Sequence, residues 1–165
     1  MSLMDAPVYD PTHDNRVRAL LIGCGVLIAL LVVATLAGRL TGHGWLYSGL
    51  PAEHRVDKFF DALEAKDYNK AYGIYENDAN WQQHPDKYAA DYPLKKFIED
   101  WTTYSPVNGP ITKHHVDVSG ADGSGLLGTS VIVGVTVNNS QRVFVQYIRS
   151  DGTLTCCTTT HIIQY

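Results

Sequence analysis

The stretch that decides the fold is VDKFFDALEAKDYNKAYGIY, Val56–Tyr75. Val56, Phe59, Phe60 and Leu63 recur at i, i+3, i+4 and i+7, which puts them on one face of a helix. Tyr68, Ala71, Tyr72 and Tyr75 repeat the spacing, and Asp67 between the two sets is a good N-cap for a second, shorter helix. Each helix therefore carries one apolar face that needs a surface to cover it. Leu94, Phe97, Ile98 and Trp101 predict a third such helix, with Pro93 at the first helical position, where its missing N–H costs nothing.

The covering surface comes next in the chain, where the period changes to two. In ITKHHVDV (111–118), alternation places His114, Val116 and Val118 on one face and Lys113, His115 and Asp117 on the other. TSVIVGVTV (129–137) aligns Val131, Val133, Val135 and Val137. Asn138-Asn139-Ser140 predicts a turn, QRVFVQYIR (141–149) the returning strand, and Asp151-Gly152 a second hairpin into TLTCCTTTHIIQY (153–165). Segregated helices and strands predict an α+β fold, with three helices packed on one face of a bent antiparallel sheet of about four strands.

Upstream, no charged residue separates Arg18 from Arg39. The run contains Leu21-Ile22-Gly23-Cys24, which resembles a lipobox. A lipobox closes an apolar stretch, whereas here the longer apolar part, Gly25–Ala37, follows the cysteine. A cleaved signal fits less well too, because Asp5, Asp10 and Asp14 precede the run instead of a basic segment. A membrane-spanning helix fits best, since about 20 apolar residues cross the hydrocarbon core. The chain thus reads as a polar tail over 1–15, a transmembrane helix over 17–39 with lipid against 19–38, a Gly-rich linker over 40–51 and a domain over 52–165. Arg16 and Arg18 outweigh Arg39 near the span, which favours a cytoplasmic N-terminus and an extracytoplasmic C-terminal domain. Trp45 and Tyr47 suit the outer interface.

From Glu53 to Tyr165 there are 10 Lys and Arg against 14 Asp and Glu, a net charge of −4. A mildly acidic domain with no basic cluster along the sequence argues against a nucleic-acid partner. Cys156 and Cys157 are neighbours, and neighbours on a strand point to opposite faces, so two separate thiols are expected. No Cys/His spacing suits a metal, and no cofactor is expected. SGADGSGLLG (119–128) lies between strands and lacks the helix and the Lys-Ser/Thr of a phosphate loop, so it reads as a connection. Asn138-Asn139-Ser140 also fits the glycosylation acceptor pattern.

The Val56–Tyr75 stretch resembles the first two helices of nuclear transport factor 2-like domains, the cystatin-like cone fold. The points of likeness are the turn Ala65-Lys66-Asp67-Tyr68, the following Ala71-Tyr72, a third helix over Pro93–Thr103 and a meandering sheet from Ile111 to Tyr165. The resemblance covers Ala52–Tyr165 and is nearest to small membrane-anchored members with no assigned activity. It implies a pocket between the sheet's concave face and the helices, and a homodimer formed through the sheet. Some members are ketosteroid isomerases, scytalone dehydratases or polyketide cyclases, and others bind small apolar ligands or proteins. Fold alone does not choose between these.

The isomerase-like members need a carboxylate base, and none stands on the pocket-side face of the strands. The dehydratase-like members use His and Tyr, for which His114 and His161 are the counterparts, with Tyr147 able to reach them through the fold. Tyr72, Tyr75 and Trp101 complete the candidate pocket lining. Neither histidine has a carboxylate two residues away on its strand to orient it, so no catalytic residue is assigned. The expected function is a non-catalytic binding or interaction domain on a single-pass anchor. An isomerase- or dehydratase-type pocket enzyme and an accessory subunit of a larger membrane complex are the alternatives.

Overall fold

The computed structural model describes residues 11–44, 48–89, 91–107, 109–122, 128–139 and 141–157. Trp45, Tyr47, residues 123–127, His161 and the rest of the chain's end lie outside them. The element order is α1 (Pro11–Leu40), α2 (Leu50–Glu64), α3 (Tyr68–Tyr75), a 3-10 turn (Trp81–Gln83), α4 (Pro85–Ala89), α5 (Leu94–Thr102), β1 (His114–Asp122), β2 (Ser130–Val137), β3 (Gln141–Ile148) and β4 (Leu154–Cys156). The four strands form one antiparallel sheet in the order β1-β2-β3-β4. The fold is therefore α+β, with an apolar N-terminal helix ahead of it. The short α4 adds to the three helices read from the sequence. Its five residues are too few for an apolar period to register.

Three consecutive helices end in the same way. Gly42 at φ 78° follows α1, Lys66 at φ 57° follows α2, and Asn77 at φ 54° follows α3. In each case the next N–H reaches back to a carbonyl five residues earlier: His43 to Gly38, Asp67 to Ala62 and Asp78 to Gly73. These are Schellman closures, in which a left-handed residue lets the chain satisfy the helix's last carbonyls. Asp67 has a second task, since its Oδ1 accepts from the Lys70 N–H at 3.0 Å and caps α3. The Ala-Lys-Asp turn thus ends one helix and starts the next. Pro93 is the N-cap of α5 and not its first residue, its extended ψ of 152° keeping it outside the helical turn.

The core lies between α2, α3, α5 and one face of the sheet. Phe59, Phe60, Tyr72 and Phe97 are fully buried, with Trp101 nearly so. Phe59 packs edge-to-face on Phe60, Phe97 and Trp101 at centroid distances of 5.4, 6.2 and 5.0 Å, the geometry that aromatic quadrupoles favour. Val131, Val133, Val135 and Val137 of β2 close the core from below, with Val143 and Val145 of β3 beside them. The β2–β3 hairpin turns through Asn138 and Asn139, at φ 52° and 57°, as a type I′ turn requires. Asn138 is fully engaged there. Its Oδ1 accepts from the Thr112 N–H and hydroxyl at 2.9 Å, and its Nδ2 donates to the Pro110 carbonyl at 2.9 Å. A glycan on that amide would compete with this bracket.

Two expectations fail locally. Strand alternation in β1 breaks between Val116 and Val118, where Asp117 forms a β-bulge. Val116 pairs with Val135 and Ser119 with Val133, so Ser119 takes the inward position that simple alternation gives to Val118. Val118 moves to the outer face over Gly134, where an added Cβ would sit 3.1 Å from its Cγ2. Asp117 accepts from Thr136 Oγ1 at 2.6 Å and from Arg142 Nε at 3.0 Å, which ties the bulge to the outer face. The second failure concerns Cys156 and Cys157, which are joined as a vicinal disulfide. The strand ends at Cys156 and Cys157 adopts φ 128°, so alternation no longer separates the two sulfurs.

At the C-terminal end of α3, burial raises the Glu76 carboxyl above its ordinary pKa, as do Asp151 and Asp91, against a lowering by Lys87. The folded state therefore keeps this proton over a range in which the unfolded chain has lost it. Stability declines as pH rises through that range. Glu76→Gln is expected to flatten the decline and raise the thermal midpoint at neutral pH, measured as melting curves from acid to neutral pH. A negative charge at a helix C-terminus opposes the macrodipole, which works in the same direction.

Candidate functional site

Among the described residues, α2 gathers polar side chains at three places. The first is the seam between α2 and β1. On α2, Glu53, Asp57 and Glu64 recur at i, i+4 and i+11, which brings them to one edge of the apolar face. His114 at the start of β1 meets two of them. Its Nδ1 lies 2.6 Å from Glu64 Oε1 and its Nε2 3.1 Å from Asp57 Oδ1. The imidazole also stacks on Phe60 at 5.5 Å and 26°, and only 7% of its side chain is exposed. Both ring nitrogens are thereby engaged by carboxylate oxygens. Such a ring has no nitrogen left for a substrate. Orienting carboxylates do exist for His114, contrary to the reading along the strand. They come from the helix above it.

The second place is the junction between α1 and the α+β unit. Glu53 is only 7% exposed, and its carboxylate is chelated from two sides. His43 Nδ1 stands 2.9 and 3.0 Å from the two oxygens, and Ser119 Oγ donates to Oε1 at 2.5 Å. The Ser119 N–H donates to the Gly42 carbonyl at 2.7 Å. Gly49 lets α2 come this close, because a Cβ there would lie 1.8 Å from Ser119 Oγ. The Gly-rich linker is thus fastened at Gly42 and His43. Serine, glutamate and histidine meet here in the wrong order for nucleophilic catalysis, with the acid in the middle and no imidazole on the hydroxyl. The contact is a clasp.

The third place is a groove of about 760 Å³ between the outer faces of α2 and α3. His54, Arg55 and Lys58 of α2, Lys70 of α3, Trp81 of the 3-10 turn and Tyr147 of β3 border it. Arg55 Nη2 donates to the Ile74 carbonyl at 2.9 Å and to Asn77 Oδ1 at 2.6 Å. Its Nε is buried without a hydrogen-bond partner. Burial lowers the Arg55 pKa, and Tyr147 works against that lowering.

The candidate pocket residues read from the sequence do not share one cavity among the described residues. Tyr72 and Tyr75 lie in the aromatic core around Phe97, at 5.3 and 5.6 Å from its ring. Tyr72 donates to the Tyr92 carbonyl at 2.5 Å, and burial, with Glu76 and Tyr88, pushes its phenol up to about 12. Trp101 also packs in that core and borders a cleft of about 220 Å³ with Leu63 and Ile111. Tyr147 faces the α2–α3 groove, His114 is in the seam, and His161 lies outside the described residues. No group of three or more metal-ligating side chains occurs among the described residues.

Sequence reading missed Glu53, His43 and Ser119, and the three cations Arg55, Lys58 and Lys70. The helical stripe of acids and the i, i+3 pair Arg55–Lys58 were available as signals. Their partners, on the linker, β1 and α3, were not. Neither protein-family models, nor curated proteins, nor solved structures gave a match to the chain.

Proposed function

We propose that this chain is a single-pass membrane protein that displays a nuclear transport factor 2-like binding or interaction domain, without catalysis, on the outer side of the membrane. One observation carries the reading. The helix segment Asn15–Leu40, 26 residues, is long and apolar enough to cross a membrane, and the rest of the protein leaves it uncovered. Leu20, Leu21, Ile22, Leu30 and Val33 are each more than 60% exposed. At 1.5 Å per residue the segment is about 39 Å long, more than the roughly 30 Å of hydrocarbon. Water would not tolerate that face, so lipid is its partner. The order of helices and the single antiparallel sheet support the family resemblance. The aromatic filling between helices and sheet supports a non-catalytic role, because the place where the family keeps its pocket is occupied by side chains. Arg16 and Arg18 on one flank against Arg39 on the other support a cytoplasmic N-terminus.

Intact mass of the membrane-extracted protein tests the anchor. The expected product retains Ala19–Gly38 and carries no acyl group on Cys24; a species beginning at Cys24 or at Arg39 overturns it. Orientation is read by placing a cysteine at exposed Ser150 and labelling intact cells with a membrane-impermeant maleimide. Labelling before lysis is expected, and labelling only after lysis would put the domain inside.

A further inference from the structure

We propose that the groove between α2 and α3 binds a phosphorylated small molecule, the phosphate held by Arg55, Lys58 and Lys70 and an apolar or aromatic body lying on Trp81 and Tyr147. This rests on the reading of the chain as a binding domain and names the ligand class of that domain.

Charge is the first argument. The domain is acidic overall, yet three of its cations border this one groove, with a single acid, Asp67, beside them. Asp67 is already occupied in capping α3. Lys58 and Lys70 are exposed, and neither enters a salt bridge among the described residues. Arg55 bonds only to neutral acceptors, and its buried Nε has none. The arrangement has a surplus of two positive charges once Asp67 is subtracted, which matches the −1.5 to −2 of a phosphate monoester at about neutral pH. Guanidinium and ammonium groups are also the side chains that bind phosphate most strongly.

Shape and composition are the second argument. A volume of about 760 Å³ falls within the roughly 300–1,000 Å³ of small-molecule sites. The lining includes Ile74, Trp81 and Tyr147, which suits an apolar or aromatic body and not a bare ion. Trp81 is held for this by its Nε1–H, which donates to the Asn69 carbonyl at 3.1 Å, and by edge-to-face packing on Tyr72 at 4.9 Å. Pro51, near the start of α2, borders the groove, so one end of it lies close to the junction with the anchor. The phosphate could therefore belong to a soluble monoester or to a lipid headgroup.

The experiment uses the full chain in phosphatidylcholine nanodiscs, with phenyl phosphate as the probe and phenol as its uncharged control. The readouts are the Trp81 indole N–H resonance and tryptophan fluorescence, assigned with Trp81→Phe. Saturable shifts by phenyl phosphate and none by phenol are expected. Lys58→Glu combined with Lys70→Glu should weaken binding tenfold or more with an unchanged melting midpoint. Lys58→Gln with Lys70→Gln replaces it if reversal impairs folding. Nanodiscs containing phosphatidic acid separate the sources. A Trp81 shift before any probe is added identifies the lipid headgroup, and a shift only on adding phenyl phosphate identifies a soluble ligand. Equal binding of phenol, no binding, or binding unaffected by both lysine variants overturns the proposal while leaving the anchored-domain reading intact. Release of inorganic phosphate from the bound probe would instead overturn the non-catalytic reading.

Discussion

Glu53→Ala is expected to destabilise the α+β unit by about 3 kcal/mol, because it removes one partner from a buried, charge-assisted cluster. The carboxylate is almost wholly out of water and accepts from Ser119 and His43 together. Without it, the Ser119 hydroxyl loses its acceptor in a site that excludes solvent, and that unmade bond is the costly part. Glu53→Gln keeps one oxygen for Ser119 and should lose about half as much. The same substitution should loosen the junction, since His43 and Ser119 are what fasten the end of α1 to β1. Limited trypsin digestion reports this at Arg39, in the last turn of α1. Faster cleavage there in Glu53→Ala than in wild type is expected, together with a lower denaturation midpoint. A wild-type midpoint and wild-type protection would show that the clasp contributes nothing. Gly49→Ala offers an independent check, because its methyl group would occupy the space of Ser119 Oγ. Pairing it with Ser119→Gly should recover part of the loss.

Phe60→Ala is expected to cost about 3–5 kcal/mol, the range for deleting a buried aromatic ring. The ring is fully buried, lies edge-to-face on Phe59 and Trp101, and is stacked under His114. Its removal leaves a cavity and also withdraws the floor on which the Asp57–His114–Glu64 bridge rests. The loss should therefore fall in the upper part of that range. Denaturant unfolding of the full chain in micelles measures it. Leu21→Ala, in the exposed apolar run of α1, serves as the comparison and should leave the unfolding of the α+β unit unchanged. A Phe60→Ala midpoint within error of wild type would place Phe60 outside the core and undo the helix assignment.

The elements of this protein were legible because their signals are local. Val56, Phe59, Phe60 and Leu63 declare α2 by spacing alone, since side chains three and four apart share a helix face whatever lies beyond them. Asp67 declares the start of α3, and the alternating valines of β2 declare a strand. The apolar run declares its length and its uninterrupted apolarity, which are properties of composition. Even Asn138-Asn139 shows its turn, because two consecutive left-handed residues favour asparagine.

What the chain does with those elements was decided in three dimensions. A single bulge at Asp117 reverses the parity of half of β1 and delivers Ser119 in place of Val118 to the core side, where Glu53 waits. No period in ITKHHVDV announces it, since the bulge is stabilised by Thr136 and Arg142 from two other strands. His114 found its carboxylates 50 and 57 residues away. The Gly-rich linker became a fastened junction because Gly49 permits an approach that any side chain would block. Arg55, Lys58 and Lys70 border one groove only because the Schellman turn at Lys66 folds α3 back beside α2. Sequence by itself determined the long helices, the strands and the apolar run, since those depend on neighbours a few residues apart. Which polar groups meet was left to the tertiary structure, because burial brings together residues whose separation along the chain carries no trace of the contact.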